Sequence, residues 1–431
     1  MPETKGFSEQ DFQKALDVGR PPNVKKRFPG SKALLVSGKY IDLAMLKKGK
    51  AIAMAANGRN TMVIRGALRA AQKANAALII EIARSEGGAS AYCAVNYWNI
   101  ATLINQAMNE MGITIPVAVH ADHYGIKKPE DVGPAKVEIP SLFDHGLTSI
   151  AVDASHLPDE QNLKANLELN PLIPSWAGLE TEVGEIKGSQ GLSTSEEALF
   201  LIQGLNAHGI FPTWIALNNG SSHGIQESDA GIQVDLTAKI HTALEPYKVS
   251  GAQHGTSGNS SERLREIAAQ TRTTKANVAT ALQMVSWGVD VNDYGNAKLD
   301  EKGNFKKVKG KGVTQELWEE MMAYAQDKNL TGGNVKKLNL PFENKILGQP
   351  AEIRERMAKG VEEFVYNILK NVFNAEDTAP LVVEAILEKN SHDPGNKAEK
   401  IEDPAEWTEE KFVERAKSID SDKGPEGDFD D

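Results

Sequence analysis

The residues best suited to chemistry follow an apolar run that ends abruptly in a short polar motif. The run from 115 to 121 alternates and is rich in β-branched residues, which predicts a strand. The motif His120-Ala-Asp122-His123 falls at its C-terminal end. Because Asp122 and His123 are adjacent, one can bind a metal while the other faces a substrate held by that metal. The alternative is a buried structural pair of histidine and aspartate.

Two more histidines also follow predicted strands, namely His223 and His254. With His123 they can converge, and imidazole nitrogen suits zinc, whose catalytic sites have about three protein ligands and an open position. Glu180 and Glu182 point the same way by the period of two in a strand, with Glu182 nearer the strand end. One of these two carboxylates would complete the site, although each histidine could instead cap a helix or fill a core.

Glycine and serine follow two of these histidines, in Ser222-His-Gly224 and in His254-Gly-Thr-Ser-Gly258. Such loops expose backbone N–H groups and hydroxyls that can bind phosphate without a clash. A glycine-rich loop often makes only a turn, but here each loop contains a candidate metal ligand. The sequence therefore predicts a phosphate beside a metal.

The elements that must position these residues alternate between strand and helix, which predicts a parallel sheet. Seven strand–helix units are predicted, with strands at 50–56, 76–83, 115–122, 149–155, 178–184, 213–219 and 249–254. An eighth unit would close a barrel, and Gly333–Leu340 and Ala351–Val372 are its predicted strand and helix. We expect a (β/α)8 TIM barrel whose chemistry lies at the carboxyl ends of the strands.

Around this barrel the sequence predicts three further regions. Residues 1–48 form an N-terminal extension, and the barrel domain spans 49–375. An insertion at about 271–332, before strand eight, holds two predicted helices at 274–287 and 313–328. Residues 376–431 form a C-terminal helix, at 379–387, and a polar acidic tail, and we expect the tail from 391 to 431 to be mobile or to lie along a partner subunit.

Composition excludes several classes of protein. The 431 residues are 40% hydrophobic and 25% charged, as in soluble globular proteins, and the net charge of −11 argues against a nucleic-acid partner. A single cysteine, Cys93, rules out an intrachain disulfide and a cysteine zinc cluster. No apolar run is long enough for a membrane span, and the polar start lacks a secretory signal, so we expect a cytoplasmic protein with no membrane partner.

Taken together, these motifs resemble those of the class II, zinc-dependent fructose-bisphosphate aldolases. The resemblance covers roughly 50–258 and resumes at 333–375. Its motifs are Ala51–Asn57, the Ser-x-Gly-Gly loop within Ile82–Ser90, His120-Ala-Asp-His123, Asp153-Ala-Ser-His-Leu-Pro, Leu179-Glu-Thr-Glu-Val-Gly184, His223-Gly224 and His254-Gly-Thr-Ser-Gly258.

The resemblance implies a role for each candidate residue. Zinc would lie on His123, His223 and His254, with Glu182 as a structural or alternative ligand, and a monovalent cation is expected in addition. Asp122 would be the acid/base at the hydroxyl next to the bond that breaks. The remaining residues would hold a phosphorylated ketose: Asn57 and Ser85, the latter near a phosphate, and, at the dihydroxyacetone-phosphate half, Gly224, Gly255, Ser257 and Asn339. The family also implies a homodimer or larger homo-oligomer and a place in glycolysis or gluconeogenesis.

The chain departs from the family pattern in three places. Ser189-Gln190 stands where the loop after strand five usually carries an acidic pair, one of them a proton shuttle, and Glu185 is a candidate substitute. On the predicted strand eight, Asn339-Leu-Pro-Phe-Glu343 lacks an aspartate. The insertion is not a family feature. A basic residue supplied across a dimer interface could be Arg354 or Arg356.

Three hypotheses follow from the sequence. The first is a metal-dependent aldolase that cleaves fructose 1,6-bisphosphate or a related ketose bisphosphate. The second is a metal-binding barrel that acts on a different sugar phosphate or serves as a non-catalytic scaffold, as the changed loop would allow. The third is a different metal-dependent lyase or isomerase on the same barrel.

Overall fold

A closed barrel of eight parallel strands in sequence order forms the centre of the molecule. The structure is a computed structural model that describes residues 6–88, 91–184, 191–221, 231–256, 259–292, 295–301 and 303–419. The strands are β1 (Ala53–Asn57), β2 (Leu78–Ala83), β3 (Val117–Gly125), β4 (Ser149–Asp153), β5 (Gly178–Val183), β6 (Trp214–Leu217), β7 (Ser250–Gln253) and β8 (Thr273–Val278). This confirms the predicted TIM barrel and the position of its first seven strands.

The eighth strand is not where the sequence predicted it. The strand that pairs with both β7 and β1 is Thr273–Val278, whereas residues 332–338 form a 3₁₀-helix. The predicted helix at 274–287 is correct only from Thr280 onward. The extra residues therefore follow strand eight, and the prediction of an insertion before it is wrong. The reason is that β8 carries polar side chains into the barrel, so its pattern does not indicate a buried strand.

Helices surround the barrel and extend beyond it. They are α1 (Glu9–Gly19), α2 (Pro22–Arg27), α3 (Gly38–Lys48), α4 (Thr61–Ala74), α5 (Arg84–Gly87), α6 (Ile100–Met111), α7 (Val132–Asp144), α8 (Asp159–Leu169), α9 (Ser195–Ala207), α10 (Val234–Ala243), α11 (Ser261–Gln270), α12 (Thr280–Trp287), α13 (Gln315–Asp327), α14 (Asn339–Leu347), α15 (Ala351–Asn371), α16 (Ala379–Lys389) and α17 (Glu409–Ala416). Short 3₁₀ turns lie at Pro129–Asp131, Asn170–Leu172, Glu245–Tyr247, Gly332–Leu338 and Pro404–Glu406. In the described part of the chain, no helix has the length and apolar run that a bilayer span requires.

Local sequence explains where the helices between strands begin. The Asn60 side chain accepts hydrogen bonds from the backbone N–H groups of Met62 and Val63 and so caps α4. Thr194 and Glu197 form a reciprocal capping box at the start of α9. Such caps satisfy N–H groups that have no partner within the helix. They fix the starts of the helices that follow β1 and β5, two strands that carry candidate site residues.

The barrel interior is apolar toward the amino ends of its strands and polar above. Ala53, Ala118 and Trp214 belong to an apolar cluster that continues into α3 below the barrel. Parallel register places Asn57 beside Glu81 and Ala55 beside Asn277, so these side chains share the interior face. The polar groups are therefore concentrated at the carboxyl ends of the strands, as in other TIM barrels.

The described residues between 288 and 350, here called the β8–α15 segment, pack against α12 and α15. Its buried Trp318 and Phe342 join Trp287 of α12 and Met357 of α15 in one hydrophobic cluster. Arg356 of α15 donates to the carbonyl oxygens of Gly312 and Val313, at 2.6 and 3.0 Å. The segment is thus fixed to the last barrel helix and to the helix that follows β8.

The C-terminal tail, as far as residue 419, packs on the barrel. Lys397 reaches the amino end of the barrel, where its ammonium lies 2.5 Å from Asp42 Oδ2 and 2.8 Å from Ser250 Oγ. Trp407 is only 1% exposed and contacts the ring of Phe200. For residues 391–419 the prediction of a mobile tail is therefore wrong, because a few separate side chains dock it. Residues 420–431 lie outside the described residues.

Candidate active site and metal centre

Asp122 and His123 both face the barrel mouth because β3 is irregular at its end. In a regular strand, neighbouring side chains point to opposite faces. Here His123 has a positive φ of 39° and the register with β4 shifts between Ala121 and Tyr124. Such left-handed, bulged backbone is costly for a residue other than glycine and is common beside functional sites. The bulge turns His123 toward His254, and the two ring centroids lie 4.2 Å apart.

One ring nitrogen of His254 is available to bind a metal ion. Its Nε2 lies 2.7 Å from Glu180 Oε1, and because a carboxylate only accepts, Nε2 carries the proton. Nδ1 is then a lone-pair donor, and it is buried without a hydrogen-bond partner among the described residues. Histidines that bind metals characteristically donate their other N–H to a carboxylate in this way. The geometry of His254 therefore fits a metal ligand.

Two carboxylates complete a ligand set around His123. Its Nδ1 lies 3.2 Å from Glu182 and 3.3 Å from Asp153. Candidate ligand atoms of Asp122, His123 and His254 lie within 4.8 Å of one another, as do those of His123, Asp153 and Glu182. Burial and the nearby Asp153 raise the pKa of Glu182, which indicates crowded negative charge at this point. These nitrogen and oxygen donors fit a divalent cation such as zinc.

Asp122 is surrounded by a hydrogen-bond donor and by charged groups. Asn277 Nδ2 donates to its Oδ1 at 2.9 Å, and the ammonium of Lys275 lies 3.6 Å from the same oxygen. Burial alone would raise the pKa of Asp122, but His123 and Lys275 outweigh it, and the pKa is lowered. The carboxylate is therefore charged at neutral pH and can accept a proton.

Lys275 and Asn277 of β8 are site residues that sequence reasoning missed. The Lys275 ammonium lies 2.9 Å from Glu180 and 3.3 Å from Glu81, and its side chain is completely buried. Burial alone would lower the pKa of Lys275, but these carboxylates raise it above the usual value. The alternation of the polar Lys275 and Asn277 with the apolar Ala276 and Val278 was the signal that could have revealed a strand with a polar interior face.

His120, the first histidine of the motif, lies one layer deeper than His123. Its Nδ1 lies 2.8 Å from Ser149 Oγ, and burial, with Lys275 beside it, lowers the pKa of His120 to about 3. The ring is therefore neutral. Its place in the barrel is structural, next to the charges that hold Asp122.

The substrate residues predicted from sequence fall in different places. Asn57 ends β1 inside the barrel mouth, where its Nδ2 donates to Glu86 at 2.5 Å, and Ser85 is exposed in α5 after β2. Gly255 follows β7 with a positive φ of 61°. Asn339 begins α14 and is fully buried, and its Nδ2 donates to Gln283 at 2.8 Å. Its assignment to the dihydroxyacetone-phosphate half assumed a place on strand eight, and that premise is wrong.

Several predicted residues lie outside the described part of the chain. They are His223 and Gly224 after β6, Ser257 after β7, and Glu185, Ser189 and Gln190 after β5. The strands that precede them are in the predicted positions. The assignment of His223 as a third metal ligand therefore stays a prediction.

Comparison with known proteins identifies the family of this chain. The family model described as "Fructose-bisphosphate aldolase class-II" matches residues 42–330, about two thirds of the chain. A fructose-bisphosphate aldolase of Streptococcus pyogenes serotype M3 is 29% identical over 257 residues, which cover 58% of this chain and 80% of the relative. One from Streptococcus pneumoniae serotype 4 is 29% identical over 233 residues, covering 53% and 73%.

Solved structures show the same fold at lower identity. The YdjI aldolase from Escherichia coli K12 aligns with a TM-score of 0.52 and 17% identity, over 79% of this chain and 98% of that one. Fructose-bisphosphate aldolase from Campylobacter jejuni aligns with a TM-score of 0.52 and 16% identity, over 80% and 97%.

The barrel, with imidazoles and carboxylates converging at the carboxyl ends of its strands, is the scaffold of a metal-dependent lyase acting on a phosphorylated sugar. The chain belongs to the class II fructose-bisphosphate aldolase family.

Proposed function

We propose that this protein is a zinc-dependent aldolase that reversibly cleaves fructose 1,6-bisphosphate, or a related ketose bisphosphate, to dihydroxyacetone phosphate and an aldehyde phosphate. The observation that supports it most is the arrangement of His254. Its Nδ1 is buried and has no hydrogen-bond partner among the described residues, and it lies beside His123 and the charged Asp122. His123, His223 and His254 would hold the metal, with Glu182 as the carboxylate ligand.

A divalent cation bound there would supply positive charge to the oxyanion that develops on the substrate carbonyl. The chain's own residues would move the protons, and Glu185, the candidate substitute for the family's proton shuttle, would give one to the enediolate carbon. Asp122 accepts the proton of the hydroxyl next to the breaking bond and returns it in the condensation direction. Asn277 keeps one carboxylate oxygen of Asp122 in place through its amide N–H.

Lys275 supports a reaction without a Schiff base. An amine must lose its proton to attack a carbonyl, and the buried Glu180 carboxylate, 2.9 Å from the ammonium, keeps Lys275 charged. Its ammonium is also held at the level of Glu81 and Glu180, below the barrel mouth. The lysine therefore stabilises the carboxylates of the site and leaves carbonyl activation to the metal.

The proposal assigns the substrate to the loops around this centre. Gly224, Gly255 and Ser257 would hold the phosphate of the dihydroxyacetone half, while Asn57 and Ser85 would contact the remainder of the sugar. It includes a homo-oligomer with a basic residue supplied from α15. Arg354 is the candidate, since Arg356 is bound within its own chain. A cytoplasmic location and a role in glycolysis or gluconeogenesis complete it, on the family relationship and the sequence.

The test is an assay of fructose 1,6-bisphosphate cleavage before and after chelation, with zinc, cobalt or manganese added back. Loss on chelation and recovery with zinc would support the proposal. Cleavage of a different ketose from a panel of phosphorylated ketoses would keep the reaction and change the substrate. Bound zinc without cleavage of any ketose would refute catalysis and favour the scaffold role.

A further inference from the structure

Glu86, which follows β2, is a carboxylate whose hydrogen-bonding capacity is already used. Its Oε1 accepts from Arg59 Nε at 2.6 Å, and Arg59 Nη2 lies 2.5 Å from the same oxygen. Its Oε2 accepts from Asn57 Nδ2 at 2.5 Å and from the Ala83 N–H at 3.0 Å. The side chains of Arg59 and Glu86 are 3% and 2% exposed. Glu86 is therefore an anchor and has no free oxygen for substrate.

This anchor fixes the direction of the Asn57 amide. A carboxylate paired with a guanidinium can only accept, so the NH₂ group of Asn57 must face Glu86. The Oδ1 of Asn57 then points away, and it is buried without a hydrogen-bond partner among the described residues. Asn57 shares the interior face with Asn277, which holds Asp122. At this point Asn57 therefore presents a hydrogen-bond acceptor to the site and no donor.

Arg59 connects the anchor to the β8–α15 segment. Its Nη1 donates to Gln283 Oε1 at 3.1 Å, and that oxygen also accepts from Asn339 Nδ2 at 2.8 Å. Gln283 and Asn339 are both fully buried. A chain of hydrogen bonds therefore runs from the β8–α15 segment through Arg59 and Glu86 to Asn57.

We propose that Arg59 is a positioning residue for substrate selection, which acts through Glu86 to present the Asn57 carbonyl oxygen to a sugar hydroxyl. A hydroxyl donates to that oxygen, whereas a phosphate oxygen at the same point would be repelled. The inference rests on the proposed function, since it concerns recognition of the sugar at the same site. It also gives Asn339 a place in this chain of hydrogen bonds in lieu of a contact with phosphate.

The test measures binding of two probes to the zinc-loaded protein by calorimetry. Hexitol 1,6-bisphosphate carries the sugar hydroxyls but no carbonyl, so it cannot be cleaved. Inorganic phosphate has no sugar hydroxyl that could donate to Asn57. The variant Arg59→Met with Glu86→Gln removes both charges and nearly preserves shape, which buried ion pairs often tolerate. It frees the Asn57 amide to rotate.

We expect this double variant to bind hexitol bisphosphate about tenfold more weakly than the unmodified protein does. Its affinity for inorganic phosphate should stay within twofold, and its zinc content should not change. Asn57→Ala should have the same effect, and the three changes together no more than about tenfold, because all act through one acceptor. Arg59→Lys preserves the charge on Glu86 and should restore affinity to within threefold of the unmodified protein. That rescue would not occur if the guanidinium had only a structural role.

Three outcomes would overturn the inference. One is a folded double variant whose affinity for hexitol bisphosphate is unchanged. Another is a loss of affinity that reaches about a hundredfold when Asn57→Ala is added to the double variant. The third is equal loss of affinity for both probes. Should the double variant not fold, Glu86→Gln alone, which removes the charge that orients the Asn57 amide and preserves the side-chain shape, provides the same cycle when it is compared with and without Asn57→Ala. Failure of the proposed function would be distinct, because hexitol bisphosphate would bind while fructose 1,6-bisphosphate would not be cleaved.

Discussion

Replacing Lys275 by methionine tests the charge arrangement under the active site. The ammonium lies 2.9 Å from Glu180 and 3.3 Å from Glu81, and all three side chains are 0% exposed. Methionine fills similar volume without charge, so the variant leaves the carboxyl groups of Glu81, Glu180 and Asp122 buried without that ammonium. Removing one partner of a buried ion pair costs about 3 to 5 kcal/mol. The total free energy of unfolding of a domain is about 5 to 15 kcal/mol, so the loss would be readily measured.

The pH dependence of that loss follows from Glu81. Burial and the nearby Asp122 raise the pKa of Glu81 well above its usual value even with Lys275 present. In the variant Glu81 can take up a proton and relieve the repulsion. A carboxyl group whose folded pKa is raised stabilises the fold below that pKa and loses this contribution as pH rises through it. The stability of the variant should therefore be closest to that of the unmodified protein near pH 5 and should fall furthest below it at alkaline pH.

Urea unfolding, followed by circular dichroism at pH 5, 7 and 8.5, measures the effect. Adding Glu81→Gln to Lys275→Met should recover about 1 to 3 kcal/mol, since it removes one unpaired carboxylate. Lys298→Met is the matched control, because Lys298 is half exposed and pairs with Asp290 at 3.4 Å, and it should cost less than about 1 kcal/mol. The reasoning would be refuted if the free energy of unfolding of Lys275→Met were within 1 kcal/mol of that of the unmodified protein at every pH.

Three further predictions follow from the site and the tail. Asp122→Asn should lower kcat by about 10²- to 10⁴-fold with zinc content unchanged, because the amide cannot accept the proton; turnover near the original rate would exclude Asp122 as the base. His254→Gln should reduce bound zinc measured by atomic absorption, and full zinc occupancy would remove His254 from the ligands. Lys397→Met should lower the free energy of unfolding by about 1 to 3 kcal/mol, since Asp42 loses a charged partner, and unchanged stability would show that the tail docks without this lysine.

The sequence by itself determined the barrel and most of the candidate centre. Seven strands were readable because their apolar residues continue for several positions and capped helices follow them at short intervals. The pattern around Asp122 and His123 placed those residues at a strand end, where the structure has them. The loops that carry His223 and Ser257 could be assigned by resemblance to the family, and these assignments stay predictions.

Only the tertiary structure decided which residues surround Asp122. Lys275 and Asn277 are polar, so the sequence pattern of β8 resembles a surface segment. Glu81 and Glu180 come from strands distant in sequence, and their charges make burial of Lys275 possible. The docking of Trp407 on Phe200 and the hydrogen bond from Arg59 to Gln283 likewise depend on partners more than two hundred residues away. Local sequence determines the elements, whereas compensation of buried charge depends on their packing.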